Sequence, residues 1–312
     1  MSKQTACYRV TNWREYNESL VRRGDITLWF SDEALASWEH ANEERKVGRP
    51  FTYSDGAIEC LLTLRELFRL PYRQTEGLGR ALVKLMGVDV AIPDFTSLAK
   101  RAAKLGVSLE VLPTSGSIDV VVDSTGLKVY GAGEWRSDAY RAPKRRTWRK
   151  LHLSINAATQ EIVAEALTSR ACDDAEVVPA LLAQIEPPVS KLLGDGAYDK
   201  WKLYDGLAQA EIEPVIPPRK GASIRRHGNS ARPRLPRDEA IRGIRRHGRT
   251  GWKRQSGYHR RSLVETSMSR LKQAFGPRLK NKGFDNQRTE ARLRCKLLNR
   301  FTQLGMPEFR WH

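Results

Sequence analysis

The stretch Ile118-Asp119-Val120-Val121-Val122-Asp123 decides the fold. A β-branched run of this kind reads as a buried strand, and its two-residue period puts Asp119 and Asp123 on one face. Ser124-Thr125-Gly126 then reads as a turn, with Leu127 to Tyr130 as the returning strand of a hairpin. Downstream, 150–156 and 161–168 form a second hairpin around Ala157-Ala158-Thr159-Gln160. A helix follows over 173–185, a short strand Lys191-Leu192-Leu193-Gly194 ends at Asp195, and 200–210 and 213–216 add a helix and a last strand. Strands alternating with helices in this order predict an α/β domain with a mixed sheet.

Two carboxylates therefore stand at strand ends, Asp123 and Asp195. Ligand sites in open α/β sheets form outside those ends, and carboxylates gathered there are offset by a shared cation. Each taken singly also fits a turn or a helix N-cap. A helix over 258–275 supplies a third acid. At 100° per residue Tyr258, Arg261, Glu265 and Lys272 fall within a sector of about 60°. Val264, Met268, Leu271 and Phe275 form the adjacent apolar stripe, so Glu265 lies at the seam between core and open face. An amphipathic surface helix is the plain alternative. Among the other acids, Asp138, Asp173, Asp174 and Asp199 read as turn or cap residues, and His152 as a packed residue of a strand.

The chain has 312 residues and a formal net charge of +18, from 54 Lys and Arg against 36 Asp and Glu. Such an excess points to a polyanion. Between Arg219 and Arg261 stand 15 Lys and Arg and only two acids, Asp238 and Glu239, interspersed with six glycines. The segment 219–257 reads as a long basic loop, with Arg225, Arg226, Arg245 and Arg246 as DNA contacts. Ile-Arg-Arg-His-Gly occurs in it twice, at 224–228 and 244–248, by chance or as a repeated phosphate-gripping turn. No run of about 18 apolar residues suits a bilayer, and Met1 to Tyr16 is polar, so a soluble, cytoplasmic protein is expected. Cys7, Cys60, Cys172 and Cys295 lie far apart, which argues against a zinc site.

Residues 1–50 read as an N-terminal arm, with Ser31 capping a helix over 32–45. Residues 51–112 read as a helical DNA-binding region: helices over 55–70, 74–86 and 95–105, the last carrying Lys100 and Arg101, fit a helix-turn-helix-like module. Residues 113–312 are expected to form one α/β domain that carries the three acids and the basic loop 219–257.

Tyr258-x-x-Arg261-x-x-x-Glu265-x-x-x-x-x-x-Lys272 resembles the Y-R-E-K signature of DDE transposases from bacterial insertion sequences. Val122-Asp123-Ser124-Thr125-Gly126 and Gly194-Asp195-Gly196-Ala197-Tyr198-Asp199 resemble their first and second Asp segments. The likeness extends to Asn12–Asn17, Trp148–His152, Pro217–Lys220 and Leu298–Arg300, and the chain is similar to the insertion-sequence-five family. The resemblance implies a ribonuclease-H-like core in which Asp123, Asp195 and Glu265 hold two Mg²⁺ or Mn²⁺ ions. It also implies that Tyr258, Arg261 and Lys272 contact DNA, that terminal inverted repeats and target DNA are the substrates, and that a homodimer forms the synaptic complex. A structure-selective nuclease or a cleavage-deficient DNA-binding regulator would share much of this pattern.

Overall fold

The computed structural model describes residues 8–30, 32–42, 50–129, 148–226 and 234–311. The chain falls into two compact units, 1–108 with 296–312, and 109–295.

In the first unit, helices α1 (Trp13–Arg22), α2 (Asp32–Ala36), α3 (Asp55–Leu67), α4 (Tyr72–Met86) and α5 (Phe95–Ala102) surround a core that includes Trp38, Ile58, Leu61, Leu64 and Leu98. Ser54 and Asp94 cap α3 and α5 by accepting backbone N–H groups, and Pro71 precedes α4. Two sequence expectations change here. The helix from Asp32 stops at Ala36, because Trp38 is drawn inward and its indole donates to the Ala91 carbonyl at 2.8 Å. Ser31, its expected cap, lies outside the described residues. Nor do residues 296–312 stay with the catalytic domain. Strand β8 (Phe309–Trp311) pairs antiparallel with β1 (Tyr8–Val10), and the Asn12 side chain bonds the backbone of Met306 and Glu308.

The second unit is built on β2 (Ile118–Val129). The expected turn at 124–126 does not form, and the two strands of the expected hairpin are one strand of 12 residues. Its reason is the neighbour β3 (Trp148–Asn156), which pairs antiparallel with β2 continuously from Val120 to Lys128. Strand β4 (Ile162–Ser169) extends this edge, as the second expected hairpin requires. On the other edge β5 (Val189–Leu193) runs parallel to β2 at 118–121, followed by β6 (Glu213–Val215). The two-residue strand β7 (Arg278–Leu279) pairs parallel with Lys128 and Val129. The sheet is mixed, in the order β4-β3-β2-β5-β6 with β7 also on β2. Among the described residues, no strand pairs with 122–127 of β2 on the β5 edge.

Each face of β2 has its own cover. Ile118, Val120 and Val122 pack with residues of α6 (Asp174–Leu182) and α7 (Trp201–Gln209) and with Tyr198. The opposite face meets α9 (Ser262–Phe275), whose Val264, Met268, Leu271 and Phe275 are buried. That is the expected helix over 258–275, with its first turn tightened into a 3-10 turn at Tyr258–Arg261. The helix α10 (Phe284–Leu304) follows β7, and its residues through Cys295 belong to this unit.

The basic segment is not a loop throughout. Pro236–Gln255 forms helix α8, whose first turn carries Asp238 and Glu239, acids that suit a helix N-terminus. Buried Asp238 accepts the backbone N–H groups of Arg225 and Arg226 at 3.0 and 2.8 Å. The second Ile-Arg-Arg-His-Gly copy is helical up to Gly248 while Ile224 to Arg226 are not, so the repeat is not a repeated turn. At Gly248 the backbone leaves the helix (φ 71°, ψ 164°) and α8 kinks. The kink folds Trp252 back so far that a Cβ on Gly243 would lie 2.8 Å from its ring. Gly243→Val should therefore lower stability by roughly 1–3 kcal/mol through overpacking. The urea midpoint checks it, with Arg245→Val on the exposed face of the same helix expected to change it far less.

Candidate active site

Asp123 stands in the stretch of β2 that, among the described residues, has no strand partner on the β5 edge. Asp123 lies on the face that meets α9, and its Oδ1 accepts the N–H of Ser124. Arg261, at the end of the 3-10 turn, donates to Asp123 Oδ2 at 3.2 Å and to Glu265 Oε1 at 2.5 Å. One guanidinium thus bridges two carboxylates that are 142 positions apart in sequence. The third acid, Asp195, stands two residues beyond the end of β5 and caps the 3-10 turn Gly196–Tyr198 by accepting the N–H of Ala197. The cap reading of Asp195 is met, and its charge also acts on Asp123. Burial raises the Asp123 carboxyl above the usual carboxylate range, and the charges of Asp195 and Glu265 add to the shift. Arg261 and the Ser124 N–H oppose it.

The donor set is all oxygen, and Asp123 is destabilised as an anion by burial and by two like charges. A cation already stands between two of the acids in the form of Arg261. These features fit a hard divalent ion. Among the described residues, no three His, Cys, Asp or Glu side chains are preassembled at ligand spacing. Arg261 occupies the place between Asp123 and Glu265 instead.

The surrounding residues divide by face. Lys272, two turns after Glu265, donates to Thr125 Oγ1 at 2.6 Å, on the same face of β2 as Asp123. Asp119, also on this face, accepts from Arg260 at 2.6 Å and from Ser190 at 2.7 Å, so it ties the 3-10 turn and β5 to β2. The ring of Tyr258 is nearly buried, against Trp252 (6.0 Å between centroids) and under the Lys253 ammonium (5.0 Å). Arg225 stacks on Trp201 at 4.9 Å, whereas Arg245 and Arg246 are exposed on α8. In the first unit Lys100 is exposed on α5. Arg101 turns inward, with its guanidinium 2.5 Å from Asp55 and 4.2 Å from the Phe51 ring centroid, so it is a tie within the helical unit and not an open cation.

The role of Asp199 is not visible from the sequence alone. It is no helix cap. Its buried carboxylate receives Nε and Nη2 of Arg237 at 2.6 and 3.0 Å and the N–H of Arg219 at 2.9 Å. An acid closely following a glycine-flanked Asp, with an arginine-rich segment downstream, is the only signal the sequence offers. Asp173 does cap α6, as read, and Asp138 lies outside the described residues.

Over residues 114–300 the sequence matches a family described as a transposase DDE domain, and over 21–132 it matches a second family of the same description. The chain belongs to the DDE transposases, and it is a DNA transposase. Enzymes of this family work with divalent metal ions. The chain is also similar to a cryo-EM structure of a piggyBac transposase synaptic complex with hairpin DNA, over 91% of this chain and 74% of that chain, at 10% identity and a TM-score of 0.39. No described helix is long and apolar enough to cross a membrane.

On the opposite face of β2, His152 is fully buried. Its Nε2 lies 2.8 Å from Thr168 Oγ1, and its Nδ1 lies 3.4 Å from Asp174. Burial lowers its pKa from 6.5 to about 4 even though Asp174 pulls it up. The unfolded chain then binds one more proton than the folded chain between those values, so stability falls as pH falls from 6.5 to about 4. The urea midpoint of the parent should drop across that window, and His152→Gln should remove part of the slope. Equal slopes would contradict a buried neutral His152.

Proposed function

We propose that this transposase cleaves DNA at the terminal inverted repeats of an insertion sequence and joins the ends to target DNA, with Asp123, Asp195 and Glu265 holding two Mg²⁺ or Mn²⁺ ions. The observation that supports this most is Arg261 between Asp123 and Glu265, with the charge of Asp195 acting on the same Asp123. Three antiparallel strands followed by two parallel ones, with helices between, support a ribonuclease-H-like reading of the core. The likeness of Tyr258, Arg261, Glu265 and Lys272 to the Y-R-E-K signature supports a place in the insertion-sequence-five family.

Two bound divalent ions would activate the attacking water or 3′-hydroxyl and stabilise the leaving oxygen in line. The chain's own part is to hold three acids with fixed orientation. Asp123 is held by the β2–β3 ladder, Asp195 by its own capped turn and Glu265 by a helix packed on β2. Arg261 releases the acids and becomes free for a phosphate or the cut strand. Lys272 is set to grip a phosphate beside Thr125. Tyr258 reaches an unpaired base only when Lys253 leaves its ring. Arg225, Arg226, Arg245 and Arg246 supply phosphate contacts. The helices α3 to α5 form the DNA-binding region, with Lys100 at its surface. Two ends must be held together, which calls for a homodimer on DNA. The protein then works in the cytoplasm, on the nucleoid.

With terminal inverted-repeat DNA as substrate and Mg²⁺ present, Asp123→Asn, Asp195→Asn and Glu265→Gln should each reduce cleavage by roughly three orders of magnitude or more. Cleavage at the parent rate by all three would refute the assignment. Release of nicked ends with no joined product would favour a nuclease instead. Replacing Arg245 and Arg246 by Gln should reduce the salt slope of duplex affinity by about one for each phosphate that is no longer neutralised. An unchanged slope would remove them from the DNA interface.

A further inference from the structure

The short turn that carries Asp195 is anchored on successive residues by two different means. Tyr198 goes into the core at 1% exposure, where its ring approaches Gly194 so closely that a Cβ there would lie 3.0 Å away. Asp199, the next residue, is 7% exposed and receives the Arg237 fork together with the Arg219 N–H. Arg219 also donates from Nε to the Gly196 carbonyl at 3.3 Å, so it holds both ends of the turn. Two residues further on, the Trp201 ring has the guanidinium of Arg237 at 4.7 Å and that of Arg225 at 4.9 Å from its centroid. Arg237 belongs to the first turn of α8, the helix on which Arg245 and Arg246 are exposed. Burial acts to raise the Asp199 carboxyl, but the bonds from Arg237 and Arg219 outweigh it and hold it below the usual carboxylate range.

We propose that Asp199 is a positioning residue: its ion pair with Arg237 locks the Asp195 turn to the arginine-rich segment, so that metal binding at Asp195 and DNA seating on α8 depend on one contact. This rests on the reading of Asp195 as a metal ligand. A surface pair between solvated charges would contribute little. This pair is sheltered, two-pronged and centred four residues from Asp195, and the orientation of ligands by their hydrogen-bonded neighbours governs metal affinity. DNA phosphates bound on α8 pull on the element that Arg237 anchors. Loosening the pair frees the turn and the helix together.

The test uses the full chain, Mn²⁺ alone as the metal probe and a duplex of arbitrary sequence. Asp199→Asn keeps the size and the acceptor for Arg219 but loses the charge. Arg237→Gln removes the fork, and Arg237→Lys keeps the charge without it. Each should weaken Mn²⁺ binding, read by electron paramagnetic resonance, by about tenfold or more. Each should also weaken duplex binding. The Asp199→Asn, Arg237→Gln double variant should be no worse than either single one. Arg245→Gln should weaken duplex binding and leave Mn²⁺ affinity alone. A purely structural pair would lower the denaturation midpoint and leave Mn²⁺ affinity unchanged below it, and that result overturns the proposal, as does full multiplication of the single effects. Should Asp199→Asn fail to fold, Arg237→Lys gives the same reading. Asp195→Asn separates the two layers. If it loses Mn²⁺ binding while the Asp199 and Arg237 variants do not, this inference alone falls. If it binds Mn²⁺ like the parent, the reading of Asp195 falls and takes the inference with it.

Discussion

Among the described residues, strand β2 is hydrogen-bonded along one edge over nearly its whole length, but along the other only near its two ends. The rest of the catalytic unit depends on that interruption. Where β5 stops pairing its chain is free to turn at Asp195, while the Asp123 side chain points to the face on which α9 packs. A strand unpaired on both edges would not hold Asp123 still. Continuous pairing with β3 supplies rigidity, and the end of the β5 ladder leaves the chain free to turn at Asp195. The end of β5 brings Asp195 to the edge of the gap, and the 3-10 turn before α9 brings Arg261 across it.

The gap also sets the electrostatics. A carboxylate on a central strand is partly stripped of water, and two further carboxylates make its charge costlier still. Positive charge is therefore drawn in, and the nearest source is the helix that carries Glu265. Arg260 and Arg261, adjacent in sequence, take Asp119 and Asp123 respectively. The same attraction that would favour a divalent ion thus docks the start of α9 onto β2.

Much of this is readable in the residues. Period two in 118–123 marks the buried strand and the shared face of Asp119 and Asp123, and the 3.6-residue period in 258–275 marks the seam at Glu265. The strand and helix order from 150 to 216 follows from apolar runs and their breakers. The departures share a cause, which is tertiary pairing overriding local chemistry. Ser124-Thr125-Gly126 has turn composition, yet pairing with β3 keeps it extended. Glycine and arginine in 236–255 suggest a loop, yet Pro236, Asp238 and Glu239 start a helix that Asp238 clasps to Arg225 and Arg226. Tyr258 sits on the site face of the helical wheel, but Trp252, returned by the kink at Gly248, packs beside its ring. Asp199 is beyond the reach of any local pattern because its partners, Arg219 and Arg237, lie 20 and 38 positions away.

The short strand β7 has a consequence for how such a chain can diverge. It fastens the end of α9 to Lys128 and Val129, while Arg260 and Arg261 fasten the beginning to Asp119 and Asp123. The helix is splinted at both ends to the strand that bears the first acid. The relative placement of Asp123 and Glu265 is then independent of the length of chain that joins them. Insertions or deletions between β6 and α8 can then be accommodated without disturbing the spacing of those two acids. Asp195 is placed differently, by the β5 ladder on β2 and by the turn that follows it.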